Sequence, residues 1–441
     1  MLSMRKKRIR LAMRMLGLAV LALPGCVRIQ EAAGPVRFGA DASATAPRSN
    51  GERTAGSIWP KRWSKVPGAR GAIVPLDGPL SEWVGVRLGE NHYLRSTPLD
   101  ARDVEALARV AGKNTGYQYE LEGPGAFIFK SVEFDWEKRA TDSSPDAMFK
   151  FISGRPVGSK QGVEEVMIER TWFAYYDAAA STPPRGLIVI VPGLFGVPEP
   201  VNDRFVEICR ADGWAVLRLL AEPSRYTERV RFEIDLADLD SAAQAIADEF
   251  AQRAAETAYA VDAGVRHVHA LRPGLRSKRH VLIGMSGGAM ASPTVYALDP
   301  DRFDAAVLIA GGANFLLINE ESNYAGWIKA IDFDWKGAEL SADEKTRVMK
   351  DLAEKYLARC PLDGYHLAPQ MRQTPVLVLQ GSNDRAVPAK YGDLLWERLG
   401  KPERWLYRAG HEWIFLTLNS VTPQILKWLD ERLDVQAEAG P

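Results

Sequence analysis

The sequence predicts an α/β fold, a mostly parallel, doubly wound sheet with helices on both faces. From Gly186 onward short, continuously apolar runs recur: LIVIV, WAVLRLL, HVLIG, FDAAVLIAG and PVLVLQG. Strands that are apolar on both faces are those of a covered parallel sheet. Between the runs lie helical stretches such as VNDRFVEICRADG and AKYGDLLWERLG. The chain has 441 residues, 46% of them hydrophobic and 25% charged. That is enough for one large domain plus a further module, and it excludes a fibre or a wholly disordered chain.

In chain order, residues 1–25 couple a basic segment, Arg5 to Arg10 with Arg14, to the apolar run Met15 to Leu23. The run is too short to cross a bilayer as a helix and reads as an export signal. Leu23-Pro24-Gly25-Cys26 resembles the lipobox of bacterial lipoproteins, cleaved before a cysteine that carries a diacylglyceryl group. Pro24 departs from the usual small residue at its position. The resemblance implies lipidation at Cys26 and a membrane anchor in the cell envelope. Val27 in place of Asp points to the outer membrane if the source is Gram-negative. An ordinary signal peptide or an uncleaved anchor is the alternative. Loss of the leader removes six basic side chains, leaving 50 Lys and Arg against 56 Asp and Glu. A mildly acidic protein carries no bulk signature of a nucleic-acid partner.

Residues 26–57, rich in Ala, Gly, Ser, Arg and Glu, read as a flexible tether. Residues 58–160 read as an accessory region of α+β character. It has a helix signal in TPLDARDVEALARVAG and aromatic runs on either side of Gly123-Pro124-Gly125, whose alternation marks core strands rather than a carbohydrate platform. The main domain is expected over 161–435. VEEVMIERTWFAYYDA alternates as an antiparallel strand does, and Thr422 before Pro423 is placed to cap the last helix. A helical insert at 312–368, too long for a simple crossover, would hang over the carboxyl ends of the strands as a lid. Export would permit Cys209 and Cys360 to pair, but each sits in a helix-like apolar context that favours two buried thiols.

The chemistry gathers at Gly284-Met285-Ser286-Gly287-Gly288, a G-x-S-x-G between the strand HVLI and the helix GAMASPTVYAL. In that setting the glycines permit a turn that exposes a strained serine hydroxyl. A serine needs a base, and the base an orienting acid. GSNDRAVP supplies Asp384 after a buried strand, and AGHE supplies His411 after the next. Through these three signatures Gly186 to about Leu433 resembles the α/β-hydrolase superfamily. The resemblance implies Ser286 as nucleophile, His411 as general base and Asp384 as its orienting acid. It also implies an oxyanion hole from the backbone N–H groups of Gly287 and Leu194, and no cofactor. Pro192-Gly193 stands where many members have His-Gly.

The expected substrate is a small carboxylic ester, hydrolysed through an acyl-enzyme. Peptide or amide hydrolysis, as by an aminopeptidase, is the alternative, and Glu320, Glu321, Asp332 and Asp334 in the insert would then hold a substrate amine. A catalytically silent surface binding protein is a third reading, opposed by the complete triad. Asp393 is a fallback acid in a helix-like stretch. His267 and His269 have an H-x-H spacing without further ligands, which reads as solvated surface and not as a metal site.

Overall fold

The computed structural model describes residues 145–160, 163–179, 184–193, 197, 199–220, 230–325, 331–337 and 339–438, with short strands at 27–30, 72–73 and 96–98. The leader, Cys26 and the aromatic runs around Gly123-Pro124-Gly125 lie outside the described residues.

The centre of the molecule is six parallel strands: β6 (Gly186–Val191), β7 (Trp214–Leu220), β9 (Arg279–Met285), β10 (Ala305–Ile309), β12 (Val376–Gly381) and β13 (Glu403–Tyr407). Their spatial order is β7-β6-β9-β10-β12-β13, every neighbouring pair parallel. The chain starts at β6, steps one way to β7, then returns across β6 to build β9 and everything beyond. The order therefore reverses between β6 and β9, where an open α/β sheet leaves a crevice at the strands' carboxyl ends. This architecture is consistent with an α/β-hydrolase fold.

Continuous apolarity is spent on two faces. Leu187, Val189, Val191, Leu217 and Leu282 pack on one side against α2 (Leu239–Leu271) and α3 (Gly287–Leu298). Ile188, Ile190, Val216, Val281 and Ile283 pack on the other against α1 (Glu199–Ala211) and α9 (Leu418–Glu438). Each such aliphatic contributes about 2 kcal/mol of transfer free energy.

On the β7 side the sheet turns antiparallel through β5 (Val163–Tyr176) and β4 (Ala147–Lys160), which pair along their whole length. The expected domain boundary at 160/161 falls at the tip of this hairpin, so β4 is part of the main sheet, as are the short strands β2 (Ala72–Ile73) and β3 (Ser96–Pro98) paired to it. Within the expected tether, β1 (Val27–Gln30) pairs antiparallel with the β13 edge. The final helix also differs. Pro423 lies inside α9, which begins at Leu418, and Thr422 is buried with its hydroxyl donating to the Leu418 carbonyl at 2.8 Å. α8 (His411–Leu416) runs almost directly into α9, so the turn that Thr422 would have capped is already wound.

The 312–368 stretch folds as α4 (Phe315–Glu321), β11 (Ile331–Asp334), α5 (Ala342–Arg359) and α6 (Gly364–Leu367). β11 pairs with β8 (Val230–Glu233) in a separate parallel ribbon. Ser341 and Glu344 start α5 with reciprocal side-chain to backbone bonds. Asp363, 1% exposed, fastens the stretch down: its carboxylate accepts the N–H groups of Asn314, Phe315 and Tyr365 and the Tyr356 hydroxyl. Cys360 and Cys209 are separate free thiols, both buried, and burial pushes both thiol pKa values up.

Candidate active site

Ser286 reverses the chain between β9 and α3 in a single residue. It adopts φ 52° and ψ −118°, a conformation that costs a residue with a Cβ about 1–3 kcal/mol. The fold holds it there: its N–H donates to the Ile309 carbonyl at 2.7 Å, and its carbonyl accepts from Met290 N–H at 3.1 Å. The glycines around it answer to space. A Cβ on Gly284 would stand 2.2 Å from Ser292 Oγ, one on Gly288 2.1 Å from the Val191 carbonyl oxygen, and one on Gly193 2.9 Å from Ser286 Cβ. The loop after β6 is thus pressed against the turn after β9. Met285, fully buried, plugs the sheet beneath.

The other two triad candidates arrive on neighbouring loops. Asp384 follows β12, and one of its oxygens accepts the N–H groups of Ala386 and Val387, each at 2.9 Å. The other lies 2.7 Å from His411 Nδ1. His411 is the first residue of α8, and its Nε2 is 2.9 Å from Ser286 Oγ. A carboxylate only accepts, so Nδ1 carries the proton and Nε2 presents its lone pair to the serine hydroxyl. Asp384 and His411 are each 6% exposed, which shields the chain of bonds from water. Ser286, Asp384 and His411 are therefore brought together in one hydrogen-bonded line.

Gly287 opens α3, where the first N–H groups of a helix have no intrahelical partner and the dipole favours negative charge. Its amide can accordingly serve an oxyanion. Leu194, the second expected donor, lies outside the described residues. Gly193 beside it is described, in contact with the elbow.

Several expected participants are elsewhere. Asp393 pairs with Arg404 at 2.6 Å, away from His411. Glu320 pairs with Lys345 and Glu321 with Lys390, both at 2.5 Å, and Asp332 with Arg231 at 3.2 Å. The Asp334 backbone carbonyl receives Ile234 N–H. Glu320, Glu321 and Asp332 are thus each engaged in an ion pair, while Asp334 is exposed. His269 is not solvated surface: its Nε2 meets His280 Nε2 at 2.8 Å, with His280 Nδ1 donating to the Lys278 carbonyl. Among the described residues no cluster of three or more His, Cys, Asp or Glu is arranged to hold a metal.

Sequence reasoning missed Tyr324 and Glu412. The Tyr324 ring stands edge-on to His411 with centroids 6.1 Å apart, and its hydroxyl donates to Glu412 at 2.5 Å. Burial, then the bond to Glu412, raises the Tyr324 pKa. Phe415 packs on the same imidazole at 5.2 Å. Glu412 and Phe415 follow His411 in sequence, which was a usable signal. Tyr324, from the insert, carried none.

No protein-family model matches the chain. A 65-residue stretch, 15% of the chain, is 31% identical to the uncharacterized protein YdjC of Bacillus subtilis. That stretch covers 56% of YdjC, so the chain spans about half the length of the curated relative it matches. Among solved structures the chain is similar to Est1E from Butyrivibrio proteoclasticus, with 14% identity, TM-score 0.38, and coverage of 64% of this chain and 99% of that one. It is similar to a Pyrococcus furiosus esterase, with 14% identity, TM-score 0.39, and coverage of 63% and 91%. It is also similar to Pyrococcus horikoshii acylaminoacyl peptidase, with 12% identity, TM-score 0.39, and coverage of 64% and 48%.

Proposed function

We propose that the protein is a serine hydrolase that cleaves carboxylic esters through an acyl-enzyme. The supporting observation is the Ser286–His411–Asp384 line, with the serine held at positive φ on the strand-to-helix turn. Ser286 Oγ attacks the ester carbonyl carbon as its proton passes to His411 Nε2. The Asp384 carboxylate, steadied by two backbone N–H groups, stabilises the imidazolium without taking its proton. The Gly287 amide stabilises the tetrahedral oxyanion. His411 then gives the proton to the departing alcohol, and water, activated by the same imidazole, releases the acid and restores Ser286. Three of the four acids that an aminopeptidase would need in the insert, Glu320, Glu321 and Asp332, are engaged with lysines and Arg231, which favours the ester over the amine-bearing substrate.

A fluorophosphonate probe tests the reading. The folded protein is expected to label, and Ser286→Ala and heat-denatured protein are expected not to. Equal labelling of Ser286→Ala would overturn the assignment of the nucleophile.

A further inference from the structure

Beside the elbow lies a small cavity of about 20 Å³, walled by Phe250, Arg253 and Ala254 of α2, Gly287 and Met290 of α3, and Phe315 of α4. That is room for one or two water-sized groups. Its walls are apolar apart from Arg253, which is only 4% exposed. Arg253 Nε donates to Glu249 at 2.7 Å, one turn back on α2. Nη1 and Nη2 are buried and have no hydrogen-bond partner among the described residues. A guanidinium whose outer edge is desolvated and unmatched is costly, because buried donors left unpaired forfeit their hydration. The fork of two nitrogens matches a carboxylate bidentately, a geometry that lysine does not offer.

We propose that Arg253 is a specificity-determining residue that binds a carboxylate at the far end of the acyl group, so that preferred substrates are monoesters of short dicarboxylic acids. The cavity shares Gly287 with the expected oxyanion site and has Arg253 on its wall, so it borders the place where an acyl group bound at Ser286 begins. The small volume admits a carboxylate and excludes a long alkyl tail. Glu249 holds Nε and leaves the Nη edge for the ligand. Phe250 and Phe315, with ring centroids 4.5 Å apart, exclude the water that would weaken the pairing.

The inference rests on the serine hydrolase reading of the same site, and two measurements separate their failures. In the first, kcat/KM is compared for p-nitrophenyl monoesters of succinic, glutaric and adipic acids against p-nitrophenyl butyrate, valerate and caproate. The intact protein should prefer at least one acid-bearing ester by about tenfold or more, and Arg253→Met should erase that preference while Arg253→Lys keeps part of it. A preference for the neutral esters, or a ratio unchanged in Arg253→Met, would overturn the inference while leaving the hydrolase intact. The second measurement is calorimetric titration of glutarate into Ser286→Ala and into Ser286→Ala with Arg253→Lys. Binding that weakens about tenfold with lysine supports Arg253 even where no ester is cleaved, and absence of binding to Ser286→Ala counts against it.

Discussion

At the scale of single residues, the site is held together by an unfavourable conformation. Ser286 sits at φ 52° because β9 must turn into α3 without an intervening loop. A glycine there would relieve the strain, so Ser286→Gly is expected to raise stability by about 1 kcal/mol while ending turnover. Urea unfolding and ester hydrolysis on the same preparation check both halves, and a destabilised variant would mean the turn is not strained. The three members of the line were legible in the sequence because each follows an apolar strand, and strand ends are where a parallel sheet presents its chemistry. Tyr324 and Arg253 were not legible. One comes from a stretch of the insert that carries no catalytic motif, and the other is a charged residue on a helix, where a surface position is the ordinary reading.

At the scale of elements, the 312–368 segment is tied to the body by Asp363. Removing its carboxylate strands three backbone N–H groups and the Tyr356 hydroxyl in the interior. Asp363→Ala should therefore cost about 3 kcal/mol or more, and Asp363→Asn less, since an amide oxygen still accepts. Equal denaturation midpoints for Asp363→Ala and the parent would refute this. The strands from β6 onward were readable from continuous apolarity. The start of α9 was not, because a threonine before a proline looks like a cap from sequence alone. Here Thr422 turns inward to bond Leu418, and Pro423 is accommodated in an already wound helix. The β8·β11 ribbon joins segments about a hundred residues apart in register Ile331 to Val230, a pairing that no local pattern encodes.

At the scale of the whole molecule, the amino end of β9, opposite the Ser286 turn, carries its own pH response. His269 is pushed down to about 4 by burial first and then by His280 and Arg302. Burial also lowers His280 and His267. These side chains are neutral in the folded protein but take up protons near pH 6.5 once unfolded. The contribution of His269 is therefore complete above about pH 6.5 and is lost as the pH falls toward about 4, where its folded form also protonates, and the lowered His280 and His267 act in the same direction. The urea midpoint should drop between about pH 7 and pH 5. His269→Gln, which can still donate to His280, should narrow that drop, and an unaltered drop would remove His269 from the account. The H-x-H pair invited a reading as solvated surface because its partner, His280, lies in the next strand and is visible as such only once the sheet is assembled.

The length of α2 has a thermodynamic consequence. Its first half, Ile246 to Ala255, belongs to the core shared with the insert, and its second half, Ala258 to Val268, to the core beneath the sheet. A helix of 33 residues, about 50 Å long, thus runs unbroken through both. Neither core can melt without stripping the packing from half of a helix that the other still holds, and a helix supported on one half frays. The two cores are in this way made to share one melting transition, and the 312–368 segment draws its rigidity from the body of the protein rather than from a fold of its own.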